Sequence, residues 1–320
     1  MRILKLDPRP PSFDSVVDAA IDEESSPLLD ATVEHAEWRA ITPARPPSVP
    51  RLAFVDGVQQ TEARVSAEGE GWPSRGIVAS YAAGAICPGA EPAVRHCVVG
   101  RRVILAKGRR AEPVRLEAHS GVFIYESTSS ASEDPNALDA TLSELRAQLE
   151  TQVVRALLDE GAELVVVDGR LPPVVSDRAV GLIKTPHRVP ISEAAQIDVL
   201  LRLRTGERSP IFTRQRSSRT FYSWFVCLAT PGPMDLSPSG LALFEMDDSA
   251  ALSEATRIAN LTAAVLPAFA STPMRDIRAP QNLLPVSQLE KHLRHRLGDP
   301  ELRLRLLRRA FAREAVAWES

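Results

Sequence analysis

Cysteine is scarce in this chain: Cys87, Cys97 and Cys227 form no Cys-x-x-Cys pair and no ligand cluster. That usage argues against structural zinc and fits a reducing compartment. Long apolar runs are missing as well, and none is long enough to span a bilayer. The first residues, Met1-Arg-Ile-Leu-Lys-Leu-Asp-Pro, lack the apolar stretch of a secretory signal. The expectation is a cytoplasmic protein with no membrane partner. There is no surplus of positive charge either: 38 Lys and Arg stand against 41 Asp and Glu, a net charge of -3. Any nucleic-acid binding must then come from a local patch or through metal ions, not from global charge. The basic residues are mostly arginine, which suits phosphate contacts and which GC-rich coding also produces. No internal repeat is visible.

What is present is ordinary for a globular protein: 320 residues, 44% hydrophobic and 25% charged. Residues 1–50 are rich in proline and acidic side chains. A short helix is expected within Asp18 to Leu29, and Pro43, Pro46, Pro47 and Pro50 make a stiff lead-in. This segment reads as an N-terminal arm that packs on the core or on a partner. Residues 51–320 read as a single domain.

The organising stretch is Glu163-Leu-Val-Val-Val-Asp-Gly-Arg-Leu171. A short apolar run closed by Asp168-Gly169 predicts a strand buried on both faces and ending in a tight turn. The same device occurs as Leu52-Ala-Phe-Val-Asp-Gly57. One Asp-Gly is an ordinary turn dipeptide; two apolar strands that each end this way place two carboxylates at one point.

Between them the pattern predicts strands over 76–87, 98–106 and 114–125, with a basic turn at Lys107-Gly-Arg-Arg110. Strands this close in sequence favour an antiparallel meander. A helix over 137–160 follows, with Leu138, Leu142, Leu145, Leu149, Val153, Ala156 and Leu157 on one stripe and Gly161 as its cap. Further on, a strand is expected at 179–185 with Lys184 near its end, a helix at 193–202, strands at 222–229 and 241–246, and helices at 250–266, 286–297 and 301–316. In the last helix Leu302, Leu306, Ala310 and Phe311 share a face opposite Arg303, Arg305, Arg308 and Arg309. Meander, helix, then buried strand is an α/β or α+β pattern with a mixed sheet.

The helix between the two Asp-Gly strands carries Glu144, Glu150 and Glu160, and Glu150 borders the leucine stripe. Two strand-end Asp residues and a helical Glu are the oxygen donors that hard divalent cations take. Arg214, Arg216 and Arg219 are candidates to track a DNA backbone, with a solvated loop as the rival reading. Tyr222 and Trp224 fit base stacking less well than core packing of a strand.

The order of Asp strand, meander, helical Glu and second Asp strand resembles the RNase H-like nuclease layout. The local words resemble the NurA family of DNA nucleases: Phe54-Val-Asp-Gly57, Leu145-Arg-Ala-Gln-Leu-Glu150, Val166-Val-Asp-Gly-Arg-Leu171 and Val180-Gly-Leu-Ile-Lys-Thr185. The resemblance runs from about residue 50 to the end of the sequence. It departs where the family more often has Asp-Gly-Ser-Leu, and again at its last motif. There Glu290, in Asn282-Leu-Leu-Pro-Val-Ser-Gln-Leu-Glu290, aligns with the family's histidine, and His292 and His295 are nearby alternatives. Pairing of Glu290 with Arg294 at i+4 is the plain surface reading.

The resemblance implies an RNase H-like core with a mixed central sheet flanked by helices, and C-terminal helical additions. It implies that Asp56, Glu150, Asp168 and Glu290 hold two Mn²⁺ or Mg²⁺ ions. Lys184 then binds phosphate or orients the attacking water. The implied activity is 5′-3′ exonuclease and single-strand endonuclease cleavage in DNA end processing. The implied assembly is a homodimer docked on a hexameric HerA-type ATPase. The departure at Glu290 keeps a second reading open, a catalytically impaired scaffold subunit on the same motor; an RNA-directed nuclease on the same core is a third.

Overall fold

The computed structural model describes residues 2–6, 27–68, 73–118, 121–132, 134–184, 191–216, 218–230, 240–272 and 279–319. Its strands are β1 (Arg2–Leu6), β2 (Leu28–Asp30), β3 (Leu52–Glu68), β4 (Ser74–Cys87), β5 (Ala93–Leu105), β6 (Val114–Ala118) and β7 (Gly121–Ser129), then β8 (Leu164–Asp168), β9 (Ala179–Ile183), β10 (Phe212–Arg216), β11 (Arg219–Cys227) and β12 (Leu241–Asp247). The helices are α1 (Pro135–Asp159), α2 (Ala194–Arg202), α3 (Leu252–Val265), α4 (Leu284–Leu297) and α5 (Pro300–Glu319).

The strands form one mixed sheet in the order β2-β10-β11-β12-β9-β8-β3-β4-β5-β7-β6, and β1 pairs with the far half of β3. β3, β4 and β5 are an antiparallel meander. The chain then crosses over through α1 and returns as β8, parallel to β3, and β9 follows parallel to β8. The protein is thus a mixed α/β structure, as the alternation of patterns predicts. No described helix is long and apolar enough to cross a membrane.

Alternation along each strand sorts the core onto two faces. Leu52, Phe54, Leu164, Val166, Val180 and Leu182 point to one face, where α3 and α4 cover them with Ile258, Val286, Leu289 and Leu293. Ala53, Val55, Val165 and Val167 point to the other, under Val153, Val154 and Leu157 of α1. Gly161 closes α1 in the left-handed region, with its N–H on Leu158 and that of Ala162 on Leu157.

Several expectations need correction. The strand expected over 114–125 is a hairpin, β6 and β7 paired through Ala118 and Gly121. The stretch around Arg214 holds a strand, β10, which its charged alternation concealed. Most of the helix expected within 18–29 lies outside the described residues, and Leu28–Asp30 is strand. Residues 27–50 lie against the core: β2 pairs β10, Trp38 packs on Phe212, and Glu34 accepts a forked pair of bonds from the buried Arg208 at 2.7 and 2.8 Å.

The face of α5 departs from the expected one at Leu302 and Arg303, while Leu306, Ala310 and Phe311 pack on the core as expected. Arg303, Leu307 and Phe311 point inward, and Leu302 is exposed. The cause is Glu62, buried on β3, which needs a cation. Arg303 Nε lies 3.0 Å from Glu62 Oε1, and Ser80 and Tyr125 also donate to that carboxylate. Apolar spacing alone could not reveal a buried charge on another element.

Candidate active site

The parallel pairing of β3 and β8 runs in register from Leu52 beside Leu164 to Val55 beside Val167. Asp56 and Asp168 occupy the next position on each strand, on the face shared with Phe54 and Val166. β8 ends at Asp168 while β3 continues. The second carboxylate therefore stands at a strand end, and the first is held inside a long strand between β4 and β8. Asp56 is only 6% exposed.

Lys184 follows the end of β9, two residues beyond Leu182, the partner of Asp168. Its Nζ donates to Asp168 Oδ2 at 2.7 Å and to Asn282 Oδ1 at 2.6 Å. Asn282 is fully buried, and its own Nδ2 donates to Ser287 Oγ at 2.8 Å near the start of α4. In the sequence Asn282 stands out only as the first residue of a motif; the available signal is that a buried amide just before a helix has to find polar partners.

Glu150 comes from α1, on the opposite side of the sheet. It is 4% exposed, while Glu144 and Glu160 of the same helix are exposed. Its carboxylate sits directly over Gly57: a Cβ there would lie 2.2 Å from Glu150 Oε1. Val-Asp-Gly is thus more than a turn dipeptide at this place; the glycine lets a helix carboxylate approach the strand. Arg146 lies 3.2 Å from Glu150 Oε1 but donates to the Gly57 carbonyl, and Oε1 itself accepts no hydrogen bond.

The electrostatics follow from this crowding. Burial, then the charges of Asp168 and Glu150, push the Asp56 carboxyl well above its ordinary range, against the pull of Lys184 and the Gly57 N–H. Burial raises Glu150 too, with Asp168 adding and Arg146 opposing. Carboxylates whose charges raise one another in this way store unfavourable charge that a cation relieves. The donors are all carboxylate oxygens, the chemistry that Mg²⁺ and Mn²⁺ take, and the buried Glu150 Oε1 accepts no hydrogen bond within the protein. Among the described residues, no three His, Cys, Asp or Glu side chains lie close enough together to hold one metal ion as they stand.

The remaining expected residues lie as follows. Glu290 is on α4, half-buried, with its Oε1 2.9 Å from Arg294 at i+4. Arg214 and Arg216 converge on the fully buried Glu245, each with a contact of 2.6 Å. Arg219 pairs with Asp247 and lies over the Phe221 ring. Trp224 is core, donating to Thr262 Oγ1 at 3.0 Å. Comparison with protein-family models and with curated proteins finds no match for the chain.

Proposed function

We propose that this protein is a metal-dependent DNA nuclease of the NurA type on an RNase H-like core. The observation that carries the reading is the side-by-side placement of Asp56 and Asp168 on central parallel strands, with Glu150 close enough to raise the Asp56 carboxyl. The position of the first Asp strand supports the RNase H-like part, with its meander on one side and the second Asp strand, reached through α1, on the other.

In this reading Asp56, Asp168 and Glu150, with Glu290 from α4, hold two Mn²⁺ or Mg²⁺ ions. When bound, such ions polarise a phosphodiester and activate water for in-line attack. The chain's own part is to fix the carboxylates and exclude bulk water. Lys184, steered by Asn282, sets the orientation of Asp168 and offers a cation to a substrate phosphate. The resemblance adds 5′-3′ trimming and single-strand cutting, a homodimer, and a HerA-type hexameric ATPase as partner. In that division of labour the motor grips DNA, which suits a chain with net charge -3.

One observation favours the scaffold reading: Lys184 already neutralises Asp168 within the protein. Calorimetric titration with Mn²⁺ separates the two readings, because a scaffold shows no carboxylate-dependent binding. The direct test is cleavage of labelled single-stranded DNA with Mn²⁺, alone and with the cognate ATPase. Metal-dependent cleavage that EDTA and Asp168→Asn both abolish is the expected result. Cleavage that survives Asp168→Asn would place the chemistry elsewhere, and an inactive wild type with the ATPase present would favour the scaffold.

A milder substitution probes the close approach at β3. Gly57→Ala is expected to lower kcat about a hundredfold, because Glu150 must shift to admit the methyl. KM for DNA should change little, and circular dichroism should show the fold retained.

A further inference from the structure

The chain does not simply leave the sheet after Asp168. The Gly169 N–H bonds to the Leu182 carbonyl at 2.9 Å, and the next residues pass over Gly181. A Cβ on Gly181 would lie 2.5 Å from the Leu171 nitrogen and 2.8 Å from the Gly169 oxygen. On β12, Glu245 stands directly opposite Gly181. Its Oε1 accepts the Leu171 N–H at 2.7 Å. Arg216 donates to the same carboxylate at 2.6 Å and to the Leu171 carbonyl at 3.3 Å. Both polar groups of that peptide residue are therefore held by one ion pair.

The pair is itself braced. Arg214 takes the other oxygen, Glu245 Oε2, at 2.6 Å, and its Nε donates to Ser223 Oγ at 2.9 Å. The Arg216 guanidinium lies 4.4 Å from the centre of the Phe221 ring. Phe221 and Leu171 belong to the same apolar cluster as the core under α1. A buried carboxylate satisfied by two guanidiniums and a peptide N–H is a rigid, directional anchor. Asp168 is the residue from which this anchored turn departs.

We propose that Glu245 and Arg216, braced by Arg214, form a clamp whose role is to position the Asp168 carboxylate by holding the Gly169–Leu171 turn over Gly181. The proposal rests on the nuclease reading for its purpose but not for its geometry. It assigns Arg216 to positioning and not to DNA contact, although its place in an arginine cluster suggests the latter.

The test compares wild type with Arg216→Gln and Arg216→Lys. With leucine-selective nitrogen labelling, amide exchange at Leu171 should be about tenfold faster in Arg216→Gln, the equivalent of one hydrogen bond. Leucine amides of β12 should exchange as in wild type. In Mn²⁺-dependent cleavage, kcat should fall about tenfold or more with KM for DNA unchanged. Arg216→Lys, which keeps the charge without the forked donors, should fall between. Unchanged exchange at Leu171 overturns the clamp. So does a raised KM with kcat kept and a shallower salt dependence, the signature of a lost phosphate contact. A wild type that cleaves no DNA removes the nuclease reading, while exchange at Leu171 still decides the clamp.

Discussion

Replacing Asp56 by asparagine is expected to abolish DNA cleavage and, at the same time, to make the metal-free protein more stable. The two effects share one cause. Asp56 is buried and feels the charges of Asp168 and Glu150, so its ionised form is unfavourable until a cation arrives. Asparagine keeps the shape and the oxygen that accepts the Gly57 N–H at 2.7 Å, but not the charge. Loss of several kcal/mol of charge stabilisation in the transition state corresponds to a drop of about a thousandfold or more.

Unfolded carboxyls titrate near pH 4. The folded Asp56 and Glu150 carboxyls titrate higher. The folded state therefore binds protons that the unfolded state has released. Their contribution to stability is fully present below the unfolded value and is lost as pH rises through the folded one. Glu34 and Asp247 are shifted down and act in the opposite sense, so the informative quantity is the variant minus wild type. Thermal melts of metal-free protein across that window should show the advantage of Asp56→Asn growing with pH. Mn²⁺ should erase it by stabilising wild type alone. Identical melting curves at every pH would mean that the carboxylates are not electrostatically opposed.

The second large effect lies further along β3. Arg303→Met is expected to cost about 3–5 kcal/mol, measured by denaturant unfolding, because it leaves Glu62 charged and uncompensated in the core. Burial already holds the Glu62 carboxyl above its usual range despite Arg303, Ser80 and Tyr125. The arginine also donates to Gln60 at 2.8 Å and to the Leu297 carbonyl, so it ties α5 both to β3 and to the end of α4. The double replacement Glu62→Leu with Arg303→Met should recover much of the loss, since a well-packed apolar pair can replace a buried ion pair at little cost. Equal destabilisation in the single and double variants would show that the pair is not coupled.

The contrast between these two regions explains what could be read in the sequence. The second Val-Asp-Gly strand, the leucine stripe of α1 and the strand that leads into Lys184 are local patterns and stand where the periodicity puts them. The first Val-Asp-Gly is a correction: the strand expected to end in a turn at Gly57 runs on to Glu68, because β4 pairs with it beyond that point. Burial of Glu150 alone among the α1 glutamates followed from its place beside that stripe. Charges satisfied across the fold were not legible. Arg303 looked solvated because Glu62 lies far away in sequence, and Arg214 and Arg216 looked like a phosphate track because nothing local announced Glu245. β10 is concealed for the same reason: its buried positions include an arginine. Asn282 needed the three-dimensional knowledge that α4 begins beside Lys184.

The spread of the Lys184 bonds along the chain also orders the folding of the centre. Asp168 and Lys184 are 16 residues apart, so their pairing closes a short loop once β8 and β9 form. Asn282 is 98 residues from Lys184, and its contact closes a far larger loop at a higher entropic cost. During synthesis the two aspartates can dock well before the residue that steers the lysine has left the ribosome. In order of synthesis the charged centre is then completed in stages, with Asp56, Glu150 and Asp168 present before the segment from Asn282 to Glu290 arrives to orient the lysine.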